Sequence, residues 1–125
     1  MPLRQSNLIE VRQIKKKGRG VFARYDIAEG TEIERCPVLV VPESDIWYST
    51  LADYVFEWGD GTVGLTLGYG SMYNHSFRPN ARYEDVGRQS KAYIAIRDIE
   101  ADEEITINYN ADPDDQTSVG FEVIE

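Results

Sequence analysis

The chain has 125 residues, of which 42% are hydrophobic and 28% are charged, and its formal net charge is −9. This length suits one domain with a single core, and this composition excludes a wholly disordered chain. The negative charge argues against a nucleic-acid binder, and the single cysteine and single histidine argue against a disulfide or a metal site.

The first part of the chain is predicted to form short strands separated by turns. Residues 8–12 mix apolar and polar side chains like a strand, and the lysine- and glycine-rich residues 15–20 break it. After a turn at residues 28–31, the β-branched content of residues 33–41 favours a longer strand. Pro42 ends that strand.

Residues 44–58 are the one segment with a helical pattern. Their apolar side chains recur at steps of three and four, which predicts one or two short helical turns capped by Ser44 or Asp45. The pair Asp60-Gly61 is typical of a hairpin turn, and the alternation over residues 63–67 predicts the strand that follows it.

The second half of the chain also consists of predicted strands. Residues 81–84 and 92–96 are expected to pair around a turn at residues 85–88, and residues 105–109 alternate like a further strand. The acidic, proline-containing residues 110–118 are expected to form a loop. The chain is therefore predicted to be a mainly β (β-rich α+β) domain with little helix.

The only histidine, His75, lies between Asn74 and Ser76 in the middle of the chain. An amide, an imidazole and glycine-flanked backbone can together bind a polar small molecule. The alternative is a structural histidine in a turn. A serine next to the histidine in sequence cannot form a hydrolase triad with it by adjacency alone. Cys36 is either a nucleophile with His75 as its base or a buried apolar side chain.

Two further patterns each have two interpretations. Gly18 and Gly20 lack the third glycine of a dinucleotide fingerprint, so they mark either a β-turn or backbone that lies against a ligand. Five of the eight tyrosines fall in or beside predicted buried segments. They either pack in the core or line a narrow channel for a long cationic side chain. These five are Tyr54, Tyr69, Tyr73, Tyr93 and Tyr109.

Three segments in this order carry a family resemblance: residues 17–23 (Lys-Gly-Arg-Gly-Val-Phe-Ala), residues 73–76 (Tyr-Asn-His-Ser) with 79–80 (Pro-Asn), and residues 102–109 (Asp-Glu-Glu-Ile-Thr-Ile-Asn-Tyr). Through them, residues 8–110 resemble the SET-domain protein lysine methyltransferases. The resemblance is closest to the compact stand-alone SET proteins of bacteria and a chlorella virus, on the basis of residues 53–56 and 67–70.

The resemblance implies a SET fold of several small sheets, in which the C-terminal segment threads beneath a preceding loop as a pseudoknot. Such threading is rare among proteins, so it is not derivable from periodicity. It would bring Tyr109 against Asn74 and His75. The resemblance also implies a single SET domain over residues 1–125, with a core at about 8–110 and an acidic tail, 111–125, that could close the cleft.

The resemblance further implies an enzyme that transfers a methyl group from S-adenosylmethionine to a lysine amine, releases S-adenosylhomocysteine and needs no metal. Tyr109 matches the catalytic tyrosine of the family. The matching cofactor-binding residues are Lys17, Gly18, Arg19, Gly20, Asn74 and His75, and the matching substrate-lysine channel residues are Tyr54, Tyr69 and Tyr109.

Several positions depart from the family pattern. Asp102 stands in place of a usual glycine, Asn108 in place of a frequent aspartate, and Cys36 lies in a strand where many members carry a tyrosine. The cysteine-rich zinc segments that flank many eukaryotic members are also missing. Either the tail or a second subunit of a homodimer would then have to close the cleft.

The uneven charge suggests the substrate. Residues 98–125 carry ten acidic side chains and no basic one, which would attract a basic protein such as a histone tail or a ribosomal protein. With no apolar run of signal-peptide or membrane-spanning length, we expect a cytoplasmic protein, or a nuclear one if histones are the substrate. The alternative function is a catalytically inactive SET-like module that binds a peptide or a protein.

Overall fold

Two sheets account for the strands in a computed structural model that describes residues 3–125. The first sheet has the order β1-β2-β9-β6, and the second has the order β4-β5-β3-β8-β7. The mainly β prediction is therefore confirmed. The strands are β1 (Ile9–Ile14), β2 (Gly18–Ala23), β3 (Glu32–Pro42), β4 (Val55–Glu57), β5 (Thr62–Thr66), β6 (Asn74–His75), β7 (Ala81–Val86), β8 (Ser90–Ala95) and β9 (Glu104–Ile107).

The glycine pair lies inside a strand, although a break over residues 15–20 was expected. Strand β2 starts at Gly18 and pairs antiparallel with β1, with Gly20 opposite Arg12. The turn is confined to residues 15–17 because Lys16 (φ 74°) and Gly18 (φ 84°) both adopt a left-handed backbone conformation. Both glycines are thereby left in the ladder, so the alternative that places them in a β-turn is wrong for Gly20.

The segment with the helical pattern forms two 3-10 turns, Glu43–Asp45 and Thr50–Asp53, as predicted. The predicted cap is wrong, because Pro42 precedes the first turn and no side chain caps it. The hydroxyl of Ser49 instead accepts a hydrogen bond from the Leu51 amide at the start of the second turn. Within residues 3–125, no helix is long and apolar enough to cross a membrane.

The last part of that segment is a strand rather than a helix. Val55–Glu57 pairs antiparallel with β5 across a turn in which Gly59 and Gly61 both have positive φ. Such φ values suit a tight hairpin, and the register of the hairpin then overrides the three- and four-residue spacing. The predicted hairpin of β7 and β8 is also confirmed, with Gly87 in its turn.

Strand β9 is inserted between β2 and β6, and this insertion joins distant parts of the chain. It pairs antiparallel with β2 and parallel with β6, where Asn74 lies opposite Thr106 and His75 opposite Ile107. The strand ends two residues earlier than predicted because Asn108 starts a turn, in which its carbonyl accepts from the Ala111 amide at 2.9 Å. The C-terminal segment thus runs directly beside Asn74 and His75.

Buried apolar side chains from both sheets form one core. Tyr73 and Tyr93 stack within it, with ring centroids 4.3 Å apart, and Cys36 is a buried free thiol whose pKa burial raises. Cys36 is therefore a packing residue rather than a nucleophile. The other core members are Ile9, Val21, Ala23, Ile27, Ile33, Ala81, Ala95, Ile99, Ile105 and Ile107.

The side chain of Asn80 fastens β9 in its place. Its Oδ1 atom accepts a hydrogen bond from the Thr106 amide at 2.9 Å, and its Nδ2 atom donates to the Glu104 carbonyl at 2.8 Å. Asn80 is itself 2% exposed. One buried amide side chain therefore satisfies two backbone groups of β9.

We predict that Asn80→Ala lowers the free energy of unfolding by about 2–3 kcal/mol, because it leaves buried backbone groups of β9 unpaired. Urea denaturation followed by circular dichroism measures this loss. The matched control is Asn7→Ala, at an exposed residue whose side chain makes no hydrogen bond within residues 3–125. Equal stability of the two variants would contradict the role of Asn80.

Candidate active site

Tyr109 lines two cavities. The larger has a volume of about 520 Å³ and is lined by aromatic and charged side chains, including Tyr54, Tyr83 and Lys91. The smaller has a volume of about 200 Å³ and is lined by Lys17, His75 and residues 121–124, among others. Among the described residues, Tyr109 is the one that both linings share. Tyr109 therefore lies where the two cavities adjoin.

Three hydrogen bonds hold Tyr109 in this position. Its amide donates to Nδ1 of His75 at 2.9 Å, its hydroxyl donates to the Tyr73 carbonyl at 2.6 Å, and its carbonyl accepts from the Tyr83 hydroxyl at 3.2 Å. Burial, with Glu104 and Tyr54 nearby, raises the pKa of Tyr109 to about 12. The hydroxyl is therefore protonated near neutral pH and serves as a fixed hydrogen-bonding group rather than a base.

His75 is buried and has one unpartnered nitrogen. Because Nδ1 accepts the Tyr109 amide, the ring proton lies on Nε2, which is buried without a hydrogen-bond partner among residues 3–125. The rings of Phe77, Tyr109 and Phe121 surround it edge-on, with centroids 4.4, 5.2 and 6.2 Å away. Since an unpaired buried donor is costly, Nε2 is a candidate contact for a ligand.

The side-chain amide of Asn74 is held by hydrogen bonds to β2 and to Glu104. Its Nδ2 atom donates to the Arg19 carbonyl at 2.7 Å and to Oε2 of Glu104 at 2.8 Å, and Lys17 forms an ion pair with Oε1 of the same glutamate at 3.0 Å. A Cβ atom on Gly20 would lie 2.9 Å from Nδ2 of Asn74 and 2.6 Å from Oε2 of Glu104. Only glycine at position 20 therefore leaves room for this arrangement.

The structure brings most of the sequence-predicted site residues together. Lys17, Asn74, His75 and Tyr109 line the smaller cavity. Gly18, Arg19 and Gly20 lie beside it in β2, where the Arg19 carbonyl contacts Asn74. Tyr54 lines the larger cavity.

Tyr69 is the exception, because it is packed against the core and does not line the larger cavity. The buried carboxylate of Glu34 explains this position. It accepts a hydrogen bond from the Tyr69 amide at 3.0 Å and another from the Tyr73 hydroxyl at 2.8 Å. Tyr69 is thereby held outside the lining of the larger cavity, although Gly70 and Ser71 of the same loop belong to that lining.

Sequence reasoning did not assign several residues of the two cavities or of their walls to the site. Glu104 orients Asn74 and Lys17, and Phe121 packs against His75 and Tyr109. Tyr83 and Lys91 line the larger cavity. The period-two pattern of β8 could have placed Lys91 on the same face as the buried Tyr93. Within residues 3–125 no group of three or more His, Cys, Asp or Glu side chains is arranged to hold a metal ion.

Because burial lowers the pKa of His75 below its usual 6.5, opposed only in part by Glu125, we predict that the ring titrates below that value. The unfolded chain then binds more protons, so the contribution of His75 to stability is full above pH ~6.5 and is lost as pH falls through the folded pKa. Titration by NMR measures this directly, since the chain has one histidine. A folded-state pKa at or above 6.5 would contradict this environment.

Three comparisons with known proteins agree with this geometry. The family model of the SET domain matches residues 18–110. The chain is 38% identical over 106 residues to the H3 lysine-37 specific histone-lysine N-methyltransferase of Schizosaccharomyces pombe, covering 81% of this chain and 72% of that protein. A crystal structure of a Plasmodium falciparum protein, provisionally described as a histone methyltransferase, superposes with a TM-score of 0.70 at 33% identity and covers 81% of this chain and 96% of its own. The chain therefore belongs to the SET-domain family of protein lysine methyltransferases.

Proposed function

We propose that this protein transfers a methyl group from S-adenosylmethionine to a lysine side-chain amine of a basic, histone-like protein. The observation that carries the proposal is the position of Tyr109, which lines both cavities and is fixed against His75 by the threaded C-terminal segment. A two-substrate reaction needs two binding spaces that meet at one point. Tyr109 provides that point.

The smaller cavity suits the cofactor. The unpartnered Nε2 of His75 offers a hydrogen-bond donor, and the glycine at position 20 makes room for the side chains of Asn74 and Glu104 to pack against β2. Lys17, Asn74 and His75 would hold the polar parts of the molecule, with Gly18, Arg19 and Gly20 beside them. When bound, S-adenosylmethionine supplies an electrophilic methyl group and leaves as S-adenosylhomocysteine.

The larger cavity suits a lysine side chain. Tyr54 and Tyr109 offer ring surface to an aliphatic stem, and the carboxylates of Asp53 and Glu57 in the same lining attract a cation. The neutral amine is the nucleophile, so the substrate ammonium must first lose a proton, although a free lysine has a pKa near 10.4. Since Tyr109 is itself protonated, that proton passes to solvent through the larger cavity rather than to the tyrosine.

The contribution of Tyr109 is therefore orientation. Its hydroxyl proton is engaged by the Tyr73 carbonyl, so the oxygen lone pairs are left to accept a hydrogen bond from the incoming amine. Such a contact directs the nitrogen lone pair toward the cofactor side of Tyr109. Positioning of this kind accounts for a large share of the acceleration in transfers between two bound partners.

The C-terminal tail supports the prediction that residues 111–125 close the cleft. Residues 121–124 line the smaller cavity, and the Glu125 carboxylate accepts hydrogen bonds from the Ser76 hydroxyl and the Phe77 amide. The homodimer, which is the alternative way to close the cleft, stays a prediction. So does the closer kinship with the compact bacterial and viral members.

The substrate proposal is supported by charge and by a relative. The yeast relative is specific for lysine 37 of histone H3, and the acidic C-terminal part of this chain complements a basic protein. We therefore propose a histone or histone-like tail, and with histones as the substrate a nuclear rather than a cytoplasmic location.

The test is transfer of labelled methyl from S-adenosylmethionine to core histones and to proteins of a cell lysate. We expect labelled bands with the wild type and with Asn7→Ala. We expect none with Asn74→Ala, because this substitution removes the hydrogen bond to the Arg19 carbonyl. If S-adenosylmethionine binds in calorimetry but no protein is labelled, the inactive binding module replaces this proposal. If the cofactor does not bind, both are wrong.

We predict that Tyr109→Phe lowers turnover by about 10- to 100-fold or changes the number of methyl groups added, because the amine loses its orienting partner. Steady-state rates and mass spectrometry of the product measure both effects. Tyr48→Phe, at a fully exposed tyrosine, is the matched control. An unchanged rate together with an unchanged methylation state would exclude this role for Tyr109.

A further inference from the structure

Lys91 is a buried lysine in the wall of the larger cavity. It is 1% exposed, and its Nζ atom lies 3.8 Å from the ring centroid of Phe56 and 4.3 Å from that of Tyr83. Its ion-pair partner is Asp85, at 3.1 Å from Nζ, and that carboxylate is about half exposed. The wall of a cavity suited to a lysine side chain thus already carries an ammonium group, that of Lys91.

Stability does not account for this residue. Removing an ammonium from water is costly, and apolar side chains of similar volume commonly replace buried ion pairs without loss of stability. Burial lowers the pKa of Lys91, and the hydrogen bond to Asp85 opposes that effect. A methionine would fill the same space without the cost of desolvating a charge. The charge itself therefore calls for an explanation.

The charged groups around Lys91 give the cavity a definite charge pattern. Asp85 on β7 is paired with Lys91, which leaves the carboxylates of Asp53 and Glu57 in the same lining to attract a substrate. The faces of Phe56 and Tyr83 are occupied by Lys91, so they are not free to stabilise a second cation. The titratable side chains that face Lys91 or belong to the same lining are Cys36 on β3, Asp53, Tyr54, Glu57, Tyr73, Tyr83, Asp85 and Tyr109.

We propose that Lys91 tunes the protonation of the substrate lysine, because its ammonium disfavours a second ammonium in the same cavity and so favours the neutral amine that accepts the methyl group. This inference rests on the proposed function, in which the larger cavity receives that lysine. The displaced proton goes to solvent, and the methyl transfer that follows is unchanged. Lys91 thus sets the pH range of the reaction without contacting the reacting atoms.

The size of the cavity sets the expected magnitude. A sphere of 520 Å³ has a diameter of about 10 Å, so a substrate amine in this cavity lies within roughly that distance of the wall that Lys91 belongs to. At an effective dielectric constant of about 20, one unit charge at that distance shifts the pKa of the other group by about one unit. Loss of Lys91 would therefore raise the pKa of the substrate amine by about that amount.

The test is the pH dependence of kcat, which reports groups in the enzyme–substrate complex, for methylation of histone H3 by four proteins: wild type, Lys91→Met, Asp85→Asn and the double variant. For Lys91→Met we expect the acidic limb of the kcat profile to move up by about one pH unit, with kcat at pH 7 falling about tenfold. Asp85→Asn should move the limb down, by less, because that carboxylate is half exposed. The double variant should lie close to the wild type.

Shifts of the acidic limb in opposite directions distinguish charge tuning from a structural role, because a structural defect would lower kcat at every pH. An unmoved limb in Lys91→Met overturns the inference, and so does an upward or absent shift in Asp85→Asn. Thermal unfolding identifies any variant that fails to fold. If Lys91→Met fails to fold, the shift in Asp85→Asn still tests the inference, because Asp85 is half exposed. If the wild type labels another protein rather than H3, the profiles are measured on that protein. Absence of transfer to any protein overturns the proposed function itself.

Discussion

The parallel pairing of β6 with β9 is the constraint on which the rest of the site depends. Two residue pairs suffice, because β9 is also bound to β2 on its other side and fastened by the buried side chain of Asn80. The insertion places the glycine-containing strand β2, the Asn74-His75 pair and Tyr109 within direct hydrogen-bonding reach. Loss of this pairing would separate the two cavities from their shared residue.

The charged side chains differ between the two cavities. Beside the cavity proposed for the cofactor, Glu104 binds both Asn74 and Lys17, so a single carboxylate from the inserted strand orients the amide and neutralises the lysine. The cavity proposed for the substrate is lined by the carboxylates of Asp53 and Glu57 and by the buried Lys91. Attraction by the carboxylates together with repulsion by Lys91 would bind a charged lysine and favour its neutral form.

Local signals in the sequence predicted most of the strands but not their assembly. The Asp60-Gly61 turn and the alternation in β5, β7 and β8 indicated two hairpins that the structure contains, although the strand β4 of the first was expected in a helical segment. Strand β6 has only two residues, so it has no periodicity to detect, and its pairing with β9 depends on tertiary contacts. The threading was expected solely from the family resemblance. The position of Tyr69 depends on its hydrogen bond with Glu34, which is 35 residues away in sequence, so no local pattern reveals it. Lys91 was not assigned a role from the sequence, although the predicted hairpin places it opposite Asp85.

The central claim is that Tyr109 stands where a cofactor cavity and a lysine cavity meet. The most direct test is a crystal structure of the protein with S-adenosylhomocysteine and a lysine-containing histone H3 peptide. The account predicts S-adenosylhomocysteine beside Asn74 and His75, and the lysine side chain beside Tyr54, with the Tyr109 hydroxyl in contact with the lysine amine. Both ligands in one cavity, or a lysine bound away from Tyr109, would contradict it.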